Sequence, residues 1–592
     1  MDSLQASGNN LRHIRLFWTP SQDPNVTGYV IYRSTSPDFS DQQTITDVNG
    51  NAFLFQPLKN DHGVDARFDL VDEYQGPSKT PFRGRGVSYY LGDNTGLVHM
   101  YVDSNNVING QTYYYAVCSY DHGLDSLNIT PTECSKIITF DPTTNEYKFD
   151  VNTAKVVPRS RPAGYIPAQV QNGEDNGGVI PEPGTVATGK FDIKIVDDKK
   201  VEDNNRFLIS FSDSTGQKTY SVEDLKPKQE TFVSFYGQYV ALQYNHLDPA
   251  SICVFNLDSS VVYEDSVDYI VDPLRGSILV LDPKDHPGAR MEDATEYRVS
   301  YTNYPIYHST ALHGELTNPY FDGIQLSITE TPFKLRTENT GWSASSKTTL
   351  EYELVPNKAS HDPVDYLFTF YDTVVDTSMQ LFTFYPVRTN FKIMDVDRNR
   401  PARFIVFDKV KKDSIWEPGE PIFLLNAGDK IEKSWTVTFK YPASGDTVLP
   451  GAGDAFYISV FKPFRVTDKF SFTTKAAHID PLKAKSDLDK IRVVPNPYVA
   501  TNIIEPKNFI NRAKRGYRRL YFDKLPRKCT IKIFTTAGEL VRVLHHDSAI
   551  DDGKEFWDLL SKDNMEVSYG LYFYHVEAPG IGEKIGKFVI IK

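Results

Sequence analysis

Short runs in which apolar and polar residues alternate recur along almost the whole chain. Clear examples are GYVIYRS (Gly28–Ser34), RFLISFSD from Arg206, and SWTVTFK, in which Trp435, Val437 and Phe439 share one face. A period of two places alternate side chains on one face of a β-strand, and no run sustains the 3.6-residue period of an amphipathic helix. The pattern therefore predicts an all-β protein.

Length and composition extend this prediction to several domains. The chain has 592 residues, which is more than a single hydrophobic core supports. It contains 35 Tyr and 36 Phe but only 6 Met, and aromatic side chains fit the half-buried face of a sheet. We expect several β-sandwich domains in tandem.

Charge and hydropathy exclude two classes of partner. The net charge of -13 gives no global basis for neutralising phosphates, so we expect no nucleic acid partner. No run approaches the roughly 18 apolar residues that a spanning helix needs, so we expect no membrane insertion. The first residues lack the basic and then apolar pattern of a signal peptide, so we expect the C-terminal portion of a longer precursor or a mature form.

Clusters of Pro, Gly and Asn divide the alternating runs into units. The sequence leaves open whether 189–485 is one domain or two. The predicted units are 1–145 with a long insertion, a linker at 146–188, β-sandwiches at 189–358 and 359–485, and a final domain at 490–592.

The first unit has an early tryptophan, Trp18, and a tyrosine, Tyr113, directly after a Gly-x-Thr turn. With these residues it resembles a fibronectin type III domain over about residues 10–142. In such sandwiches an early Trp packs the core and a Tyr after a Gly-x-Thr turn forms the tyrosine corner, and Trp18 and Tyr113 match those two roles. About sixty residues, Ser36–His99, replace what is normally a short connection. Insertions of this length often carry recognition, so this segment is a candidate interaction surface.

Four aromatic residues in this insertion admit two interpretations. Phe53, Phe55, Tyr89 and Tyr90 have side chains that could stack on sugar rings or could pack half-buried within the insertion. We favour packing, because a sixty-residue insertion needs apolar contacts of its own.

The last hundred residues begin with Pro495-Asn496-Pro497, continue through a Gly570-x-Tyr572 strand and end on GKFVIIK. In this order and spacing they resemble the FlgD-like immunoglobulin fold domain and the type A sorting domains of the type IX secretion system. The matching features include the strand and turn of Ile531–Leu544 and a closing GKFVIIK strand. The residues that carry the resemblance, and to which it implies a role in sorting or anchoring, are Pro495, Asn496, Pro497, Gly570, Tyr572 and Lys587.

This resemblance implies export to the surface or medium of a Gram-negative bacterium. The secretion machinery would then contact the C-terminal domain, and the other partners would be further copies of the chain, surface proteins or polysaccharide. We expect a structural or adhesive protein that is not an enzyme. The alternative is the accessory, polymer-binding part of a secreted hydrolase.

The four cysteines suggest one disulfide. Cys118 and Cys134 lie in strand-like runs on either side of a loop, so they could form a bridge across a hairpin or be two buried free thiols. Cys253 and Cys529 are expected to be reduced core residues.

No catalytic motif stands out in the sequence. There is no G-x-S-x-G and no H-E-x-x-H, and no cofactor is expected apart from a calcium ion as an alternative. The calcium alternative rests on Asp395-Val-Asp397-Arg-Asn399. A solvated turn is favoured there, because Arg400 occupies the position where a calcium loop requires glycine.

Overall fold

The computed structural model confirms the all-β prediction. Strands account for 44% of the chain and helices for 4%. The residues that the structure describes are 4–9, 13–21, 23–42, 44–46, 52–54, 56–60, 62–82, 86–141, 146–171, 176–213, 216–357, 363–426, 431–502, 504–505, 518–550 and 552–591.

The N-terminal unit is a sandwich of two antiparallel sheets, ordered β1-β2-β7 and β11-β8-β3-β6. The short pairs β4-β5 and β9-β10 lie outside these sheets. Its strands are β1 (Leu4–Asn9), β2 (His13–Trp18), β3 (Gly28–Ser34), β4 (Thr44–Thr46), β5 (Ala52–Leu54), β6 (Arg67–Asp69), β7 (Met100–Asp103), β8 (Tyr113–Tyr120), β9 (Ile138–Asp141), β10 (Glu146–Phe149) and β11 (Thr153–Val156).

The core of this sandwich contains both residues that the sequence singled out. Trp18 is 1% exposed, and its ring lies edge-on to that of Tyr29, with 5.9 Å between centroids. The hydroxyl of Tyr113 accepts a hydrogen bond from the Ile108 N–H (2.9 Å) and donates to the Asn106 carbonyl (3.4 Å). A tyrosine corner bonds upstream backbone in this way.

The insertion after β3 packs on the outer face of the four-stranded sheet and forms a second apolar core there. Since strand side chains alternate between faces, β3 and β8 serve both cores. Buried side chains of the insertion, namely Phe39, Phe82, Tyr89 and Leu91, pack on the sheet residues Val30, Tyr32, Tyr114, Ala116, Cys118 and Tyr120.

The predicted linker 146–188 is wrong in one respect, because it contains five short strands that pair with the neighbouring units. β11 extends the sheet of the first unit by pairing with β8, and later residues add short strands to the next unit. The sequence lacks a period here because each strand is only two to four residues long. Proline and glycine mark bends between the strands and do not make a free linker.

The middle unit is built around two long neighbouring strands. It consists of β12 (Tyr165–Ile166), β13 (Gln169–Val170), β14 (Ile180–Pro181), β15 (Lys190–Ile195), β16 (Arg206–Ser212), β17 (Thr219–Val233), β18 (Tyr239–Ala241), β19 (Cys253–Phe255), β20 (Val262–Tyr263), β21 (Tyr269–Asp272), β22 (Ser277–Val280), β23 (Glu296–Ser309) and β24 (Ile324–Thr329).

Strands β17 and β23 run through two separate cores. Tyr220 and Ile306 belong to one core, and Phe232 and Val299 belong to the other. The pairing of β17 with β23 has three register shifts, and the one between Asp224 and Lys228 lies between the cores, where Pro227 cannot donate to the ladder.

A further sandwich is inserted into the middle unit. Its sheets are ordered β26-β36-β28-β31-β32 and β27-β35-β34-β33, and they enclose a core that contains Trp435, Val437 and Phe439 on one face, as predicted. Its strands are β25 (Lys334–Leu335), β26 (Gly341–Trp342), β27 (Glu351–Pro356), β28 (Tyr366–Phe370), β29 (Asp376–Thr377), β30 (Arg388–Thr389), β31 (Phe391–Asp395), β32 (Arg400–Pro401), β33 (Arg403–Val406), β34 (Ile422–Leu425), β35 (Lys433–Lys440), β36 (Ala455–Ile458) and β37 (Val460–Phe461).

The predicted division at 358/359 therefore differs from the observed one. β25 pairs with β37, so the chain leaves and re-enters the middle unit through one antiparallel pair. The chain then forms β38 (Lys469–Lys475), which pairs with β13, and β39 (His478–Ile479), which pairs with β12. Phe464 and Phe472 complete the middle core, which a boundary read along the sequence cannot show.

A short helix, α1 (Pro481–Asp487), capped by Asp480, leads to the C-terminal sandwich. The two sheets of this sandwich are ordered β40-β42-β45 and β41-β47-β46-β43-β44. The strands are β40 (Arg492–Val494), β41 (Tyr498–Val499), β42 (Leu520–Asp523), β43 (Lys528–Thr535), β44 (Leu540–Asp547), β45 (Glu555–Trp557), β46 (Gly570–Ala578) and β47 (Gly582–Ile591). In the part of the chain that the structure describes, no helix has the length and apolar character needed to cross a membrane.

Candidate functional sites

The opening segment of the C-terminal domain lies against its closing strand, β47. The Asn496 side chain donates to the Lys587 carbonyl (3.4 Å) and accepts a hydrogen bond from the Val589 N–H (3.1 Å). Strand β41 then pairs in parallel with β47, with Tyr498 beside Ile590. Residues about ninety positions apart thus form one edge of the sandwich.

The other residues predicted to act in sorting lie in or beside the same strands. Pro495 and Pro497 flank Asn496, each after a cis peptide bond, and Gly570 pairs with a residue near the end of β47. Tyr572 is buried and stacks on Phe588, with 5.7 Å between ring centroids. The structure therefore brings the predicted set together through strand pairing and ring packing.

The two thiols predicted to bridge are neighbours. The Cys134 sulfur accepts hydrogen bonds from the Ser119 N–H (3.2 Å) and the Asn152 amide (3.3 Å). Its interaction with the neighbouring Cys118 thiol is the main cause that lowers the pKa of Cys134 to about 6, whereas the pKa of Cys118 is raised. The structure holds two thiols rather than the predicted disulfide, and the bridge stays a prediction for the oxidised protein.

The remaining two cysteines differ in their exposure to solvent. Cys529 is buried in the C-terminal core, as expected, and burial raises its pKa to about 12. Cys253 is exposed, so its prediction as a core residue is wrong. It lies in β19, where the residue that faces the core is the adjacent Val254, which is 0% exposed.

A buried carboxylate ties the N-terminal insertion to its sheet. Glu133 accepts hydrogen bonds from the hydroxyls of Tyr32 (2.9 Å) and Tyr89 (2.8 Å) and pairs with the Lys136 ammonium (3.2 Å). Arg67 donates to the Tyr89 hydroxyl at 3.1 Å. Because the carboxylate is engaged by three donors, the cluster holds the insertion in place.

The insertion aromatics behave mainly as packing residues. Tyr89 is 5% exposed, which confirms the favoured interpretation for that residue, while Tyr90 is 39% exposed. The side chains of Phe53 and Phe55 lie outside the residues whose side chains the structure describes.

An aromatic groove lies on the inserted sandwich. It encloses about 320 Å³ and is lined by Phe384, Tyr385 and Phe407 together with the carboxylate of Asp408. Tyr385 is 73% exposed, and Phe382, three positions earlier in the chain, is 88% exposed. Exposed aromatic faces suit a ligand that itself has apolar faces, such as a saccharide.

The turn proposed as an alternative calcium site contains ion pairs between its carboxylates and side chains of the protein. Arg398 pairs with Asp395 at 2.8 Å, and the buried Lys462 ammonium pairs with Asp397 at 2.7 Å and Asp365 at 3.1 Å. The carboxylates of this turn are therefore compensated by cations of the protein itself. Within the described ranges no group of three or more His, Cys, Asp or Glu residues could hold a metal ion.

Sequence reasoning missed the aromatic groove and the Glu133 cluster. A signal for the groove was present in LFTFYP (381–386), because a run that ends in proline makes a poor central strand. The Glu133 cluster left no comparable signal, since its residues are up to 104 positions apart and only the fold joins them.

Comparisons with known proteins give no family. No family model matches the chain, and no curated protein matches it. One solved structure to which the chain is similar is that of PorZ, described as an essential surface component of the type IX secretion system of Porphyromonas gingivalis. It is 11% identical, with 85% of this chain and 48% of that chain covered and a TM-score of 0.14.

Two other solved structures match the chain with similarly low TM-scores. Dimeric latent PorU from Porphyromonas gingivalis is 9% identical over 99% of this chain and 32% of its own, with a TM-score of 0.12. The BSP domain of a biofilm-associated protein is 7% identical over 100% and 96%, also with a TM-score of 0.12. The chain spans about half the length of PorZ, and similarities with such low TM-scores support no argument about function.

Proposed function

We propose that this chain is a non-enzymatic, structural or adhesive protein of the surface or surroundings of a Gram-negative bacterium. In this proposal the C-terminal sandwich directs export or attachment, and the other sandwiches present surfaces for binding. The proposal includes self-association and contacts with surface proteins or polysaccharide.

The observation that carries the proposal is the assembly of the Asn496 segment with the closing strand. Asn496 bonds both flanks of Phe588, and β47 lies inside the sheet between β41 and β46. Such an end is a compact folded unit that a translocation or anchoring system could recognise as a whole. The resemblance noted from the sequence falls on these same residues.

The aromatic groove supports the adhesive part of the proposal. Phe382 is held with a positive φ of 50° at its turn, a conformation that bulky residues seldom adopt, and its ring is almost fully exposed. Exposing large aromatic side chains costs solubility unless a partner covers them. The same groove suits the second candidate function, the polymer-binding accessory part of a secreted hydrolase.

Binding to insoluble polysaccharides tests the groove. Cellulose, chitin and peptidoglycan are each mixed with the full chain, and the protein that sediments is compared between the wild type and Tyr385→Ser. Tyr457→Ser is the matched control, because Tyr457 is 42% exposed on strand β36, away from the groove-lining residues.

The expected result is sedimentation with at least one polymer that Tyr385→Ser weakens and Tyr457→Ser leaves unchanged. Light scattering on the same samples then separates the two candidates, because a structural surface protein self-associates and an accessory module stays monomeric. Sedimentation that is absent for all three polymers, in a protein that stays monomeric, would contradict the adhesive proposal.

A further inference from the structure

A cationic cavity lies where five parts of the chain meet. It encloses about 510 Å³ and is lined by side chains from β2, from the segment 161–168, from the end of β15 and the turn after it, from α1 and the residues that follow it, and from the turn after β42. The N-terminal, middle and C-terminal units each contribute at least one residue. Ligand cavities favour such junctions between domains, and this volume is within their usual range.

The walls of this cavity are held by close packing. A Cβ added to Gly164 would lie 2.6 Å from the Cβ of Ala484 in α1, so only glycine allows the segment to approach the helix this closely. The Gly164 N–H donates to Asp487 (3.0 Å), and the Ala163 N–H donates to the Leu525 carbonyl (3.0 Å). The segment is thereby fixed to the helix on one side and to the C-terminal sandwich on the other.

Two of the cations that line the cavity are neutralised by carboxylates. Arg161 pairs with Asp198 at 2.6 Å, and Lys490 pairs with Asp487 at 2.5 Å. These two pairs contribute no net charge to the site.

Three further cations make no direct ion pair with a carboxylate among the described residues, although Lys483 is close enough to Asp487 to help lower the pKa of that carboxyl. Arg15 donates to the Ile195 carbonyl (2.8 Å) and Lys483 to the Tyr165 carbonyl (2.8 Å), so both are oriented by neutral groups. Lys524 has no hydrogen-bond or ion-pair partner among the described residues. The lining thus has three more cations than carboxylates, in a protein whose net charge is -13. Such a local excess attracts anions against the field of the whole molecule.

Lys524 is also held in an unusual backbone conformation. Its φ is +60°, in the left-handed region that lysine rarely occupies. Residues kept in this region cluster at sites of function, where the surrounding structure determines their position.

We propose that this cavity binds a small organic anion, a compact molecule of about the size of a monosaccharide that carries a phosphate or carboxylate group. The oxyanion contacts Arg15, Lys483 and Lys524, and the apolar part of the ligand lies against proline and alanine side chains of the segment 162–168. A large cavity with both apolar and cationic walls is better filled by such a molecule than by a free inorganic ion.

The proposed ligand also joins the units. Arg15 belongs to the N-terminal sandwich and Lys524 to the C-terminal one, so an anion between them is bound fully only when both are docked on the middle unit. Binding then stabilises the docked arrangement by mass action. This inference does not depend on the export role proposed above.

Calorimetric titration of the full chain with glucose 6-phosphate, glucuronate and glucose tests the proposal. At least one of the two anions should bind with a Kd below about 1 mM, and glucose should not bind. Binding of the phosphate alone or of the carboxylate alone supports the proposal and tells which anionic group the site selects. Absence of binding for both anions, or equal binding of glucose, would overturn it.

Three variants assign the binding to the cavity. Lys524→Asn removes the charge with a residue that tolerates the left-handed conformation, and Lys483→Gln removes the second charge from α1. Each should weaken anion binding about tenfold or more, because a charge-assisted hydrogen bond is lost. Lys485→Gln is the matched control, since this exposed residue of the same helix does not line the cavity, and its binding should equal that of the wild type. Equal weakening in all three variants, or in none, would show that the anion binds elsewhere.

Discussion

Truncation of Phe588 to alanine should selectively open the C-terminal sandwich. Phe588 lies in β47, is 1% exposed, and stacks on Tyr572 at 5.7 Å. The rings of Trp557 and Phe522 approach it edge-on, at 6.0 and 6.2 Å between centroids. Phe588 is therefore the centre of an aromatic cluster that joins the two sheets.

The size of the effect follows from this burial. Replacing a fully buried Phe by Ala costs about 3 to 5 kcal/mol, through lost transfer free energy and a cavity that rigid neighbouring rings cannot fill. Since each 1.4 kcal/mol is a factor of ten, the open fraction of this sandwich should rise roughly 100- to 4,000-fold.

Thiol labelling followed by peptide mass analysis measures this opening one domain at a time. Cys529 is 5% exposed in the C-terminal core, and Cys118 is 0% exposed in the N-terminal unit. In the reduced full chain, Phe588→Ala should accelerate labelling of Cys529 and leave that of Cys118 unchanged. Phe573→Ala is the matched control, because Phe573 is 37% exposed on the neighbouring strand. If Cys529 reacts no faster in Phe588→Ala than in this control, the placement of β47 inside the sheet is wrong.

Three further predictions follow from buried groups. Trp18→Ala should destabilise the N-terminal sandwich by roughly 3 to 5 kcal/mol, seen as faster labelling of Cys118, and an unchanged rate would mean that Trp18 is not a core residue. Peptide mapping of the protein isolated from an oxidising compartment should recover a Cys118–Cys134 cross-link, and two alkylatable thiols at these positions would rule it out. In the reduced protein Cys134 should react before Cys118, because the pKa of Cys134 is about 6. Burial lowers the pKa of Lys554 to about 8, below its unfolded value of about 10.4. Between these two pH values the unfolded chain therefore binds more protons than the folded chain. The free energy of unfolding should rise by up to about 3 kcal/mol as the pH increases through this window. Urea midpoints should show this rise in the wild type and not in Lys554→Met, and a rise that persists in the variant would assign it to another group.

The fold class could be predicted because period-two alternation is local. Trp435, Val437 and Phe439 share a face in the sequence pattern and in the structure alike, since consecutive side chains of any strand point in opposite directions.

The division into units could not be predicted, because it depends on pairings between distant residues. Tyr165 pairs with Ile479, more than three hundred positions later, and neither short run signals the other. The predicted linker was wrong for this reason. A proline-rich segment with two-residue strands has no sequence pattern that distinguishes it from an unpaired linker, because its pairing partners are distant in the sequence.

The candidate sites show the same distinction. The set around Asn496 and Tyr572 was found through a resemblance over a continuous stretch of about a hundred residues. The cationic cavity joins Arg15 to Lys524, and only the packing of Gly164 on α1 brings their supporting segments together. A pattern along the chain carries no information on such a meeting.

The central claim is that the C-terminal sandwich directs the chain to the outside of the cell, and protease accessibility on intact cells of the natural host tests it most directly. The full chain, a chain that lacks Lys587–Lys592, and a reporter protein carrying residues 490–592 are each digested outside and inside the cell envelope. We expect the full chain and the reporter to be cleaved on intact cells, and the truncated chain to be protected until the envelope is broken, because it lacks half of β47. A truncated chain that is cleaved outside at the level of the full chain, together with a reporter that stays inside, would contradict the claim.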